Sequence, residues 1–203
     1  MARRVIVWRH GQTEWNMQRR FQGHQNVDLD ETGRDQVAAA AKVIAGRQPT
    51  AITTSDLARA KSTAQALEAE TGCSARLDSD LRETFCASWE GLTHEEIMKQ
   101  DGLMFQAWLM DHRIRPGGTG ETITEVGGRA AAAVEQHLVD VPSGETLVVV
   151  THGGSARALV GHLMEWPPES WRRLGVLDNA AWAELLFGVD GSWRLLAYNK
   201  SAG

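Results

Sequence analysis

Only two cysteines, Cys73 and Cys86, occur in 203 residues. They are too few for a disulfide framework and lack the paired spacing of a zinc site, so a reducing, cytoplasmic setting is the expectation. Positive charge is also in deficit: Lys and Arg number 21 against 26 Asp and Glu, for a formal net charge of −5. A surface that binds nucleic acid or an anionic membrane needs a broad positive field, so neither partner is expected, and an anionic substrate has to be held by a few concentrated arginines. Long apolar runs are missing as well. Val5–Trp8 is far shorter than the core of an export signal, and no later segment reaches the length that crosses a bilayer; the expectation is a protein that is not exported and has no membrane span. Internal repeats and low-complexity segments are absent, and the alanine run Ala130–Ala133 reads as a helix packed closely on a neighbour.

What is present suffices for one core. A chain that is 42% hydrophobic and 23% charged is ordinary for a globular domain, so a single domain over residues 1–203 is expected. The run Arg4–Trp8 predicts a buried first strand, followed by a long aperiodic loop, RHGQTEWNMQRRFQGH. Helical spacing predicts helices over Thr32–Arg47, with Asp30 or Thr32 as cap, and over Asp56–Thr71, stopped by Gly72. Strands are predicted at Ala51–Thr54 and near Ala75–Leu77. Residues from Thr93 to about Arg113 look helical and, with the turn PGGTGE, form a candidate lid over about 93–121. A further helix is predicted from about Thr122 to Val139. ETLVVV at Glu145–Val150 is the strongest strand in the chain, and a helix over Ser155–Met164 follows THGG. Ala181–Phe187 and Trp193–Tyr198 predict a hairpin turning at Asp190-Gly191. Strands alternating with helices imply a three-layer α/β sandwich, mostly parallel, with an antiparallel edge.

The chemistry gathers at predicted strand ends. His10 and His152 each lie just past a strand, each is followed by glycine, and in a parallel sheet such ends share one edge. Arg9 adjoins His10, and Arg59 sits in the first turn of the helix after the second strand, where a cation opposes the helix dipole unless an anion accepts it. The plainer role for Arg59 is an ion pair with Asp56 or another carboxylate; the plainer role for Glu83 is a solvated carboxylate or a partner for Arg82. Two converging arginines make a clamp whose planar forks suit phosphate oxygens, and beside it Glu83 is the candidate proton donor.

At this point the sequence resembles a known family. RHGQTEWN at Arg9–Asn16 is similar to the RHG signature of the histidine phosphatase superfamily, the phosphoglycerate mutase-like fold. Further motifs recur in the family's order: LDETGRDQ at Leu29–Gln36, TSDLARAKSTA at Thr54–Ala64, LRET and WEG between Leu81 and Gly91, and VVVTHGG at Val148–Gly154. The resemblance implies that His10 is the nucleophile and becomes a phosphohistidine. It implies that Arg9, Arg59 and His152, with Gly153 beside it, hold the phosphoryl oxygens, that Asn16 and Gln22 are auxiliary donors, and that Glu83 is general acid and then base. No metal and no cofactor are expected, because the arginines and His152 carry the positive charge. His10 must present an unprotonated nitrogen, so its other nitrogen should donate to a fixed acceptor.

RRFQGH, SDLARA, LRET, GLTH and NAAW at Asn179–Trp182 look most like the actinobacterial glucosyl-3-phosphoglycerate phosphatases and related broad-specificity phosphatases of that superfamily. Hydrolysis of a small phosphorylated metabolite is expected. A phosphoglycerate mutase-type phosphotransferase and a catalytically weak phosphate-binding interaction module are the alternatives. Phe85, Ala87 and the stretched GGTGE ending at Glu121 depart from that pattern near the presumed substrate mouth, Phe85 making it less suited to a second anionic group. Three other motifs fail. HEEIM at His94–Met98 has methionine where a zincin needs histidine, GGSAR at Gly153–Arg157 lacks the closing glycine of a nucleophile elbow, and GGTGET at Gly117–Thr122 has no preceding strand. Trp166 and Trp171, if exposed, would mark a homodimer interface.

Overall fold

Val5, Ile6, Val7 and Trp8 are all fully buried, because the strand that carries them, β1 (Arg3–Arg9), lies inside a sheet covered on both faces. The computed structural model describes residues 1–203. Its sheet also contains β2 (Ala51–Thr54), β3 (Ala75–Leu77), β4 (Thr146–Thr151), β5 (Trp182–Phe187) and β6 (Trp193–Lys200), in the order β3-β2-β4-β1-β5-β6. The first four strands run parallel, and β5 and β6 add the antiparallel edge.

Alternation along the central strands divides the core in two. Val5, Val7, Leu147 and Val149 face α5 (Ile123–Val139) and α6 (Gly153–Leu163), whereas Ile6, Trp8, Val148 and Val150 face α2 (Glu31–Ala45) and α3 (Ala58–Thr71). The result is the three-layer α/β sandwich expected from the sequence. Asp30, not Thr32, caps α2 through a bond from the Gly33 N–H, and Gly72 ends α3 in the left-handed conformation at φ 73°.

Two elements differ from the expected reading. The loop after β1 contains α1 (Glu14–Met17), a single turn closed by a reciprocal cap between Thr13 and Asn16. A four-residue helix is too short to show a period. The helix predicted over 93–113 is α4 (His94–Met110), and its backbone breaks at Asp101 (φ −149°), where the Asp101 carboxylate takes the Trp89 Nε1–H at 3.3 Å. Phe105 and Ile97 join Cys86 and Trp89 in a separate cluster with Phe21 and Trp108, whereas Leu103 and Met110 stay exposed. Trp171 is buried against Val126 and Ala158, its Nε1–H donating to the Trp166 carbonyl at 2.8 Å, and Trp166 is half-buried on the same cluster. These tryptophans are therefore not the exposed patch considered as a dimer interface. No helix is long and apolar enough to cross a membrane.

The strand order positions the chemistry. Although β1 and β2 are consecutive in the chain, β4 lies between them, and Arg9 stands in register with Thr151 at the carboxyl ends of β1 and β4. Crevices outside such reversals are where open α/β sheets place ligands.

Candidate active site

His10 and His152 leave these adjacent strand ends and are both buried, with ring centroids 5.2 Å apart in edge-to-face contact. His10 Nδ1 lies 2.6 Å from the Gly11 carbonyl oxygen. A carbonyl only accepts, so Nδ1 carries the proton and Nε2 keeps its lone pair. The fixed acceptor expected for His10 is thus the next residue's own backbone. Burial, reinforced by the Arg59 and Arg9 cations, holds the His10 pKa well below the usual 6.5. His152 is lowered in the same way, by burial and then by Arg59.

Arg59 is fully buried, yet it does not pair with Asp56; that carboxylate takes the Arg82 guanidinium instead. This arrangement removes the plainer role for Arg59 and the one for Glu83 together. Arg59 donates Nε–H to His152 Nδ1 at 3.1 Å and its terminal nitrogens to the Gln25 and Gly23 carbonyls, each at 2.8 Å. Three of the five N–H groups of a guanidinium are thereby used, and two remain. Burial lowers its pKa to about 10, so it stays charged at neutral pH. His152, accepting at Nδ1, carries its proton on Nε2 and donates to Ser55 Oγ at 2.8 Å. Both of its nitrogens are committed within the protein, so in this geometry it fixes the plane of Arg59 and offers no free donor.

Arg9 donates one terminal N–H to the Leu177 carbonyl, while its buried Nε has no partner. It lies against the start of α6: a Cβ added at Gly153 would stand 3.2 Å from Arg9 Nε. Asn16 holds its Oδ1 toward the Thr13 N–H and Asn179 Nδ2, both at 3.1 Å, which leaves its own amide N–H groups free to donate. That contact ties the late NAAW motif to the site. Gln22 is buried, with Oε1 unpartnered.

Glu83 sits at the first turn of α6, where its carboxylate accepts from the Thr84, Gly154 and Ser155 N–H groups at 2.8, 2.9 and 3.0 Å. The helix dipole favours an acid there. Its loop is clamped by Arg129, which donates to the carbonyls of Asp80, Arg82 and Glu83 and to the Glu121 carboxylate, and by His24 Nε2, 2.9 Å from the Glu83 carbonyl. Glu121 and Phe85, singled out above as bordering the substrate mouth, instead buttress this loop: the Phe85 N–H donates to Glu121, and the Phe85 ring packs on His24.

Arg9, His10, Asn16, Gln22, Arg59, Glu83 and Gly153 all line one cavity of about 420 Å³. His152 lies just beneath it, between Arg59 and His10. Arg19, Arg20 and Arg157 also line the cavity, as do Trp15, Phe21, His94 and Trp108; the last two belong to the segment expected as a lid, and the reading of the motifs gave the others no role at the site. Arg157 was detectable, because it follows Gly153 by one helical turn. Five arginines against one carboxylate, on a chain with net charge −5, make the cavity an anion site.

A model of the histidine phosphatase superfamily (branch 1) matches residues 5–201. The chain belongs to that superfamily. It is 38% identical to a glucosyl-3-phosphoglycerate phosphatase of Mycobacterium tuberculosis, over 99% of this chain and 96% of that protein. The solved structure of a mycobacterial glucosyl-3-phosphoglycerate phosphatase in complex with VO3 superposes with a TM-score of 0.92 at 39% identity, covering 98% of this chain and 100% of that one. Bacillus stearothermophilus YhfR aligns at a TM-score of 0.90 and 29% identity, over 98% of both chains. As a histidine phosphatase, the chain is a phosphoric monoester hydrolase, and a small phosphorylated substrate follows.

The depressed histidines have a measurable consequence. Neither imidazole of this histidine phosphatase should titrate near 6.5 in NMR spectra; both should stay neutral as the pH falls through 6. The unfolded chain takes up those protons at 6.5 while the native state refuses them, so stability should fall as the pH drops below 6.5. Urea unfolding between pH 7.5 and 5.5 should show this slope, and His10→Gln should flatten it. A His10 or His152 ring resonance with a midpoint at 6.5 would contradict the assignment.

Proposed function

We propose that the chain hydrolyses small sugar or glycerate phosphomonoesters, with glucosyl-3-phosphoglycerate, the substrate named for its mycobacterial relatives, as the first candidate, through a phosphohistidine on His10. The observation that carries this reading is the neutral, Nδ1-anchored imidazole of His10, set between Arg9 and Arg59 on the cavity wall. The Nε2 lone pair attacks phosphorus in line, the bond from phosphorus to the ester oxygen breaks, and the protonated Glu83 carboxyl gives its proton to the departing alcohol. Glu83, now a carboxylate, takes a proton from water; the water oxygen attacks phosphorus, and the P–N electron pair returns to Nε2. Arg9 and the two remaining N–H groups of Arg59 hold the equatorial oxygens, with Asn16 and Gln22 adding amide donors. His152, through Arg59, is a positioning residue. Phosphoryl transfer needs placement and charge more than covalent help, and this set supplies both.

The cavity also has an organic side. Trp15, Phe21 and Trp108 border it, and the Arg172 guanidinium stacks 4.5 Å from the Trp108 ring while donating to the Leu109 carbonyl, which ties α4 to the segment after α6. In this reading, residues 93–121 form the wall that contacts the leaving alcohol. A panel of phosphomonoesters assayed with EDTA present tests the whole proposal. Sugar and glycerate phosphates should release inorganic phosphate at rates unchanged by the chelator. Activity that disappears with EDTA, or no turnover anywhere on the panel despite phosphate binding, would overturn it.

A further inference from the structure

Arg157 is a cavity-lining cation that the scheme above leaves unused. Its side chain makes no hydrogen bond and no ion pair with the protein, and its Nε is buried without a partner. The other guanidiniums facing the cavity are either tied into the fold, as with Arg9, Arg20 and Arg59, or exposed at the rim, as with Arg19. Arg157 is half-buried: its Nε has no acceptor in the protein, while its terminal nitrogens open on the cavity, where an anion can take them. Burial lowers its pKa and Glu83 opposes that shift, while Arg157 in turn lowers the pKa of Arg172. This corner of the cavity thus holds more positive charge than Glu83 offsets.

Position says what would satisfy it. Gly153 and Arg157 are one turn apart on α6, so they share a face about 6 Å apart along the axis, and a helical side chain leans back toward the N-terminus. The phosphoryl group belongs at that N-terminus, beside Arg9 and His10. A second anion at Arg157 would then sit one short carbon chain from the phosphorus. Glu83 stands nearby, which disfavours a doubly charged group and favours a singly charged one, and a planar carboxylate matches the guanidinium fork.

We propose that Arg157 is a specificity-determining residue that receives a carboxylate on the substrate's own carbon chain, so that the site selects phosphorylated hydroxy acids over neutral phosphomonoesters. The assignment rests on the phosphatase reading and adds to it the chemical class of the leaving alcohol. It also places the second anion on α6 and away from Phe85, which is not among the residues lining the cavity.

The test compares 3-phosphoglycerate with glycerol 3-phosphate, which carries a hydroxymethyl group in place of the carboxylate, and adds p-nitrophenyl phosphate as a third substrate. The wild type should favour 3-phosphoglycerate over glycerol 3-phosphate in kcat/KM. In Arg157→Ala that preference should fall by about 10- to 100-fold, mostly through KM, as expected for one charge-assisted hydrogen-bonded pair. Arg157→Lys should recover part of it. Arg157→Gln, closer in size, repeats the measurement should the alanine variant fold poorly. An unchanged preference in an active Arg157→Gln protein, or equal losses on all three esters, overturns the role of Arg157 alone. A wild type inactive on all three overturns the phosphatase reading, and this assignment with it.

Discussion

Replacing His10 with alanine is expected to lower turnover of any phosphomonoester by at least about 10,000-fold and to abolish acid-labile phosphoryl labelling of the protein. No other group at the strand ends, between Arg9 and Arg59, can substitute. The lone pair at His10 Nε2 is the free nitrogen base at the strand ends, since His152, the only other imidazole there, has Nδ1 engaged by Arg59 and Nε2 by Ser55; His94, which also lines the cavity, lies exposed at the start of α4. The fold should survive, because the His10 backbone N–H bonds to the Thr151 carbonyl and its carbonyl accepts from Ala180, neither of which involves the ring. Arg9 and Arg59 remain in place, so inorganic phosphate should still bind, with a dissociation constant within about tenfold of the wild type by the ordinary size of a single lost contact. Rapid quench with labelled substrate, paired with calorimetry of phosphate binding, separates the two effects. Label that persists in the alanine variant, or turnover near the wild-type rate, would assign the nucleophile elsewhere.

How much of this was legible in the sequence follows from which signals are local. β1 and β4 were readable because Val5–Trp8 at the centre of β1 and every residue of β4 are apolar or β-branched, the mark of strands covered on both faces; once their ends were placed, His10 and His152 had to be near one another. Arg59 was readable as a cation at a helix start with no reason to be there. The identity of its partners was not, because the Gly23 and Gln25 carbonyls belong to a loop whose path depends on packing far from it in sequence. For the same reason the commitment of both His152 nitrogens escaped notice: Ser55 is 97 positions away, and no pattern connects them. The clamp on the Glu83 loop is non-local too, with Arg129 reaching it from α5 and Glu121 from the turn before that helix. α1 and the break at Asp101 failed for the opposite reason, being too short and too local to disturb a period. Composition set the sign of the site correctly. A chain of net charge −5 that nonetheless needs to hold an anion has to focus its arginines, and five of them line one cavity.

The second large effect concerns Glu83→Gln, and its size should depend on the leaving group. With an alkyl phosphate, whose alkoxide is a poor leaving group, loss of the proton donor should cost about 100- to 10,000-fold in kcat. With p-nitrophenyl phosphate, whose leaving group departs without a proton, the first step should proceed nearly unhindered. The second step still lacks its base, because an amide does not take a proton from water. The variant should therefore give a burst of p-nitrophenol followed by slow turnover, with phosphohistidine accumulating on His10. The glutamine fits the space but not every contact. With its carbonyl in the place of Oε1 it still accepts from the Thr84 and Ser155 N–H groups, while its NH2 meets the Gly154 N–H that Oε2 now accepts. Two donors facing one another cost about 1–3 kcal/mol, so thermal melting should drop modestly, and kinetics belong well below that transition. The leaving-group contrast does not depend on this stability loss, since a merely weakened fold would lower both substrates alike. Equal losses on alkyl and aryl phosphates, or a burst without labelled protein, would remove Glu83 from the proton-transfer role and leave it as the carboxylate that caps α6.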